Sequence, residues 1–168
     1  SNKKVFIFFS STSHVYKKSH IKINETSQVK PINNYGFSKL NAEKYIIKNS
    51  KKKNYDFCIG RIFSFTSINQ TKDFFIPAMF NKIRKTQKIF KVNFSNEYRD
   101  FIHLKDIVLI ITRILILKKK GIYNICSGNK ISIYDIIKKI CKKLKKQHIF
   151  LNKKKKPIGL FGSNLKIK

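Results

Sequence analysis

The chain has 168 residues, 42% of them hydrophobic, enough for one domain with a core, and it carries a net charge of +30 from 38 Lys and Arg against 8 Asp and Glu. Cys58, Cys126 and Cys141 are odd in number, widely spaced and set among apolar neighbours, which argues against a disulfide framework or a metal site and for free core thiols in a cytoplasmic protein. Val5–Phe9 is too short for a secretory segment, and Ile107–Leu117 is short and broken by Arg113, so the first reads as a strand and the second as a buried helix rather than a membrane span.

A charge of this size ordinarily points to nucleic acid or an anionic membrane. Here it is almost all lysine, with arginine only at Arg61, Arg84, Arg99 and Arg113, whereas phosphate and base recognition favours the arginine fork. Lys, Asn, Ile, Phe and Tyr abound and alanine occurs only at Ala42 and Ala78, the usage of an AT-rich coding sequence. The lysines therefore read as solvated surface. No membrane and no specific nucleic-acid partner is expected, and a basic nucleic-acid-binding module stands as an alternative.

In chain order, the continuous apolar run Val5–Phe9 predicts a buried parallel strand. It ends in Ser10-Ser11-Thr12-Ser13, at the carboxyl end of a strand, where open α/β sheets place their ligands. A loop leads to Pro31, and a helix follows from about Tyr35 to Asn49. Lys51–Asn54 is a turn, Tyr55–Phe63 a second strand, and Ser64–Phe75 a polar loop of the kind that lines sites. Pro77 opens a short helix to about Lys85, and Ile89–Val92 is a small strand. A helix from about Leu104 to Leu117, a strand Ile122–Cys126 and a helix from Ser132 to about Lys145 follow, with Ser132 and Asp135 at capping-box spacing. The Lys153–Lys156 run reads as a solvated loop.

Tyr35 precedes Lys39 by four residues, so a helix sets both on one face. A tyrosine of ordinary pKa, about 10, transfers protons poorly at neutral pH. A nearby ammonium stabilises the phenolate and brings that pKa toward the working range. Thr12 adds a hydroxyl able to hydrogen-bond the same reacting oxygen.

Several segments, in order, resemble the NAD-dependent epimerase/dehydratase family of the extended short-chain dehydrogenase/reductase superfamily, enzymes of nucleotide sugars. Phe8-Phe9-Ser10-Ser11-Thr12-Ser13-His14-Val15-Tyr16 resembles the strand that ends in the catalytic Ser/Thr, and Pro31 to Glu43 its Pro-x-x-x-Tyr-x-x-Ser-Lys helix. Gly60-Arg61-Ile62-Phe63-Ser64 is similar to the next strand, which normally ends in Arg-x-Phe-Asn. Arg99 to Asp106 is similar to an Arg-Asp-Phe/Tyr-x-x-Val-x-Asp segment, and Gly121 to Gly128 with Ile131-Ser132-Ile133 to a Tyr-Asn-x-Gly-Ser-Gly…Ser-Ile segment.

The resemblance implies an α/β fold: the second half of a Rossmann-like doubly wound parallel sheet over residues 1–66, carrying the catalytic Thr12, Tyr35 and Lys39. Residues 67–168 would form mainly a small C-terminal α/β substrate-binding part, incomplete at its end, with a strand and helix around 89–117 returning to the sheet. It implies a nucleotide-sugar epimerase or 4-keto reductase that uses NAD or NADP, with Tyr35 as acid/base. Tyr35, Lys39 and Phe63 would lie on the cofactor, Thr12, Ser64 and Arg99 on the substrate, and the intact enzyme would be a homodimer through the Tyr35 helix. Ser64 departs from the family's Asn. His14 stands where dehydratases carry an acid, which argues against 4,6-dehydration. Glu43 reads as supporting its helix through neighbouring lysines, and an Arg99–Asp100 pair closing a turn is the plain structural alternative for Arg99. The family's Gly-x-x-Gly-x-x-Gly dinucleotide turn is absent from this sequence. An internal fragment of a longer enzyme is therefore expected, with a catalytically inactive remnant as the alternative.

Overall fold

A computed structural model describes residues 4–87, 89–93, 97–151 and 158–167. In order the elements are β1 (Val5–Thr12), a 3-10 turn (Ser13–Val15), α1 (Asn34–Lys52), β2 (Tyr55–Ile62), β3 (Ser64–Thr66), α2 (Phe75–Lys85), β4 (Ile89–Asn93) and β5 (Glu97–Arg99). Then come β6 (Phe101–His103), α3 (Leu104–Ile116), β7 (Gly121–Ile125), β8 (Ile131–Ser132), α4 (Ile133–Lys143), β9 (Gln147–Leu151) and β10 (Ile158–Leu160). The Lys153–Lys156 run lies outside the described residues.

The main sheet is parallel, in the order β1-β2-β7. Parallel strands need a crossover, and helices supply both: α1 joins β1 to β2, and α3 precedes β7. The register of β1 on β2 runs without a slip from Val5 opposite Tyr55 to Thr12 opposite Ile62. The two carboxyl ends therefore finish side by side, and this places the site. Among the described residues β1 pairs only with β2, and Val5 is 63% exposed, so β1 is an open sheet edge.

The sheet buries apolar residues on both faces, as parallel sheets do. One cluster gathers Cys58, Ile102, Ile107, Ile114 and Ile125; another joins Val15, Tyr16, Ile23, Leu40, Phe63 and Cys126. A third, in the C-terminal part, packs Ile83 of α2 against Ile133, Ile136, Ile137, Ile140 and Cys141 of α4. All three cysteines are buried free thiols, and burial pushes Cys58 up to about 11 and Cys126 up to about 12.

Several expectations are corrected here. The polar segment after Phe63 begins with β3, which pairs in parallel with β6. The strand at 89–93 does not return to the main sheet but pairs with β9, and it is β7, with α3 before it, that returns. Helix α3 is buried on one side only: Ile107 and Ile114 are inside, while Val108, Leu109 and Ile116 are exposed. Among the described residues no helix is long and apolar enough to cross a membrane. Ser132 is the N-cap of α4 but makes no side-chain cap bond.

Asp100 does not pair with Arg99. It is fully buried at the junction of β5 and β6 and accepts from Ser127 N (2.8 Å), Ser127 Oγ (2.7 Å), Gly128 N (2.9 Å) and Gly162 N (3.4 Å). Burial pushes this carboxyl above its ordinary range, and the donors partly offset that. Asp100→Ala would strand three N–H groups, that of Gly162 buried and those of Ser127 and Gly128 half-buried, a stranded buried group costing about 1–3 kcal/mol. The expected result is a loss of about 1–3 kcal/mol or more, read as a lower urea midpoint at unchanged slope.

Candidate active site

The site forms where β1 ends. Thr12 closes the strand and caps the 3-10 turn, its Oγ1 accepting from His14 N at 3.3 Å. With its oxygen serving the backbone, the hydroxyl proton of Thr12 is left to donate outward. Helix α1 begins against the same turn. Its N-cap Asn33 accepts from Gly36 N through Oδ1 at 2.8 Å, as Asn at this position favours. Gly36 lies so close to the turn that an added Cβ would stand 2.3 Å from the carbonyl oxygen of His14. Gly36→Ala must therefore push helix and turn apart, which as overpacking costs about 1–3 kcal/mol. Thermal unfolding checks the loss, and an unchanged midpoint would show that the contact is looser than described.

That close approach sets Tyr35 beside His14, their rings edge to face with centroids 5.9 Å apart. One turn on, Lys39 Nζ donates to Ser10 O at 2.8 Å and lies 5.0 Å from the Phe9 ring and 5.9 Å from the Tyr35 ring. The i, i+4 spacing thus does bring Tyr35 and Lys39 together, and it ties Lys39 to the strand that carries Thr12.

A cavity of about 390 Å³ opens here, lined among others by Thr12, His14, Tyr35, Phe63, Ser64 and Arg99. Its volume is that of a small-ligand site. Five of the six expected site residues line it. Lys39 reaches its wall through Ser10. Phe63 is also core, tilted against Tyr16 at 6.3 Å, so only part of it faces the cavity. Arg99 lines the same cavity from the end of β5, its guanidinium 4.6 Å over the Phe75 ring. Burial lowers the Arg99 pKa and the charge of Glu97 raises it. Glu97 is itself engaged by Lys18. The cleft is thus cationic, as an anionic ligand requires.

One element of the site was not expected. Glu43 does not pair with lysines on its own helix. It is 1% exposed and takes a two-pronged ion pair from Arg61, itself 3% exposed, with Nη2 at 2.6 Å and Nε at 3.1 Å. Ser11 donates its hydroxyl to the same carboxylate. Arg61 also lies 4.7 Å over the Tyr16 ring, and Tyr16 donates to Asn124 Oδ1 at 2.7 Å. The pair binds α1 to β1 and β2 directly beneath Thr12. A signal for it existed: Gly36, Leu40 and Glu43 repeat at i, i+4, i+7 and are the buried residues of α1, so Glu43 had to point inward. Among the described residues no cluster of metal-ligating side chains occurs.

The sequence model of the NAD dependent epimerase/dehydratase family matches residues 1–126. The chain belongs to that family. Among curated proteins, this family member is 28% identical over 140 residues to GDP-6-deoxy-D-talose 4-dehydrogenase of Aggregatibacter actinomycetemcomitans, covering 82% of this chain and 47% of that protein. It is 30% identical over 147 residues to dTDP-4-dehydro-6-deoxyglucose reductase of Escherichia coli, covering 85% and 46%. Its fold superposes on UDP-glucuronic acid 4-epimerase from Bacillus cereus, solved with a UDP-sugar and NAD, at a TM-score of 0.81 and 21% identity, covering 96% of this chain and 54% of that one. The epimerase/dehydratase chain described here thus spans about half the length of the curated relatives it matches, and its α/β architecture is the Rossmann-like one of its structural neighbours.

The residues present fit only one end of a nicotinamide dinucleotide. Tyr35 and Lys39 offer a phenol and an ammonium at the cavity, groups able to hydrogen-bond the hydroxyls of a riboside. A pyrophosphate needs a glycine turn with open backbone amides. The glycine pair Gly159 and Gly162 is no such cradle: a Cβ there would meet the Tyr98 backbone at 1.9 Å and Cys126 Sγ at 2.5 Å, so protein already fills both approaches.

Proposed function

We propose that this chain carries the catalytic and sugar-binding side of an NAD(P)-dependent nucleotide-sugar epimerase or 4-keto reductase. The observation that carries the reading is the meeting of Thr12, Tyr35, Ser64 and Arg99 around one cavity, with Lys39 tied to its wall. Tyr35 takes a proton from a sugar hydroxyl, or gives one to a sugar carbonyl oxygen, and Thr12 donates to the same oxygen. Lys39, fixed by Ser10, holds the ribose next to Tyr35. Arg99 offers its guanidinium fork to the diphosphate, and Ser64 replaces an amide with a hydroxyl toward the sugar. When bound, the nicotinamide supplies the hydride chemistry at the sugar carbon. Both curated relatives are named for oxidation or reduction at position 4, in agreement with this role.

The test is to express the complete gene product and assay UDP-, dTDP- and GDP-sugars while following reduced nicotinamide and the stereochemistry of the product. Inversion at one carbon without net cofactor consumption identifies an epimerase. Consumption of reduced nicotinamide with a 4-keto sugar identifies a reductase. Turnover of none of them leaves the inactive remnant as the correct reading.

A further inference from the structure

The helix cap that positions Tyr35 also decides the state of His14. Asn33 Oδ1 is committed to Gly36 N at 2.8 Å, so the group that Asn33 turns toward His14 Nδ1, 3.1 Å away, is its Nδ2. An amide nitrogen only donates, so Nδ1 must accept and the ring proton must sit on Nε2. Turning the amide over would surrender the cap and set N–H against N–H. The backbone of His14 is pinned as well: its N–H goes to Thr12 Oγ1, its carbonyl accepts from Ile32 N at 3.1 Å, and Gly36 packs against it. The groups that face the ring are Asn33, the Tyr35 ring edge and the cations Arg99 and Lys18. Burial foremost, then Arg99 and Lys18, hold His14 below its ordinary 6.5; a hydrogen bond with Asn33 opposes this only where the amide offers its oxygen, and the cap commits that oxygen to Gly36 N. Among the described residues nothing occupies Nε2, and His14 lines the cavity.

We infer that His14 is a neutral imidazole, locked by the cap of α1 as the Nε2–H tautomer, and that it donates this N–H to a sugar oxygen next to the reacting carbon. The nature of the ligand rests on the function proposed above. A neutral imidazole holds its proton too tightly to deliver it as a general acid, but it can polarise a carbonyl oxygen as charge develops there. His14 thereby steadies a keto or alkoxide oxygen and does not expel a hydroxyl, which separates this site from a dehydratase by a physical cause.

The test is a two-bond proton–nitrogen correlation spectrum of the 15N-labelled complete gene product between about pH 5 and 8, with the His14 signals assigned by their loss in His14→Gln. The expected spectrum is that of Nε2–H, with titration below 6.5. Asn33→Asp keeps the cap oxygen but turns an acceptor toward Nδ1, and it is expected to move the proton to Nδ1 and raise the titration. Saturation with at least one of UDP-glucose, dTDP-glucose and GDP-mannose is expected to shift the Nε2 resonance. An Nδ1–H ring or a titration at or above 6.5 in the unsubstituted protein overturns the locked tautomer. A sugar nucleotide that is turned over without moving the Nε2 resonance overturns the donor role while the proposed function stands. A resonance that shifts in a protein with no turnover overturns the function while the His14 inference stands.

Discussion

Tyr35→Phe in the complete gene product is expected to lower kcat by about 10²- to 10⁴-fold, the size of a general acid–base contribution, and to leave the unfolding midpoint where it was. The two halves of this result have separate causes. Tyr35 is 52% exposed and its hydroxyl has no hydrogen-bond partner among the described residues, so deleting the oxygen strands no buried group. The ring that remains keeps its edge-to-face contact with His14 and its place above Lys39, so the helix start is undisturbed. Only the hydroxyl is removed. Single-turnover rates beside a thermal melt make the comparison, and a variant retaining more than about a tenth of the activity would sink the role given to Tyr35.

Glu43→Ala is expected to act in the opposite way, on stability first. It leaves the Arg61 guanidinium buried without a counter-charge, and it strands the Ser11 hydroxyl that pointed at the same carboxylate. Removing one partner of a buried ion pair costs about 3–5 kcal/mol, a large share of the roughly 5–15 kcal/mol that holds a domain folded. The pair already satisfies Arg61 imperfectly, since its Nη1 has no partner among the described residues. Replacing both members with apolar side chains should accordingly recover much of the loss, because the desolvation of both charges disappears together. Urea unfolding of Glu43→Ala, Arg61→Met and the double variant completes a cycle. The idea fails if Glu43→Ala lies within about 1 kcal/mol of the parent. Any loss of activity in the stable double variant then measures how far the pair also holds Ser11 and Thr12 in place.

The long elements were legible because their cause is local. The apolar run at the start of β1, the other two strands of the main sheet and the helix after Pro31 each bury a face whose period is written in consecutive residues. The spacing of Tyr35 and Lys39 on one helical turn belongs to the same class, and the structure brings them together with Lys39 anchored on Ser10. The short strands β3, β5, β6, β8 and β10 were missed because two or three residues display no period. The outer face of α3 was misjudged because its composition is apolar on every side, and composition cannot say which side meets a neighbour. The pairing of β4 with β9 escaped for a related reason, since strand partners are chosen across the chain and not along it.

By itself the sequence determined the α/β class, the family and the one-turn spacing of tyrosine and lysine, all of which follow from short-range pattern. The tertiary structure alone decided that Arg99 and Tyr35 line one cavity, that Glu43 answers Arg61 through a buried ion pair, and that Asn33 turns an N–H toward His14. Each of these depends on strand register and on the angle at which α1 meets β1. A burial pattern says that a side chain points inward, and only the packed fold says what it meets there.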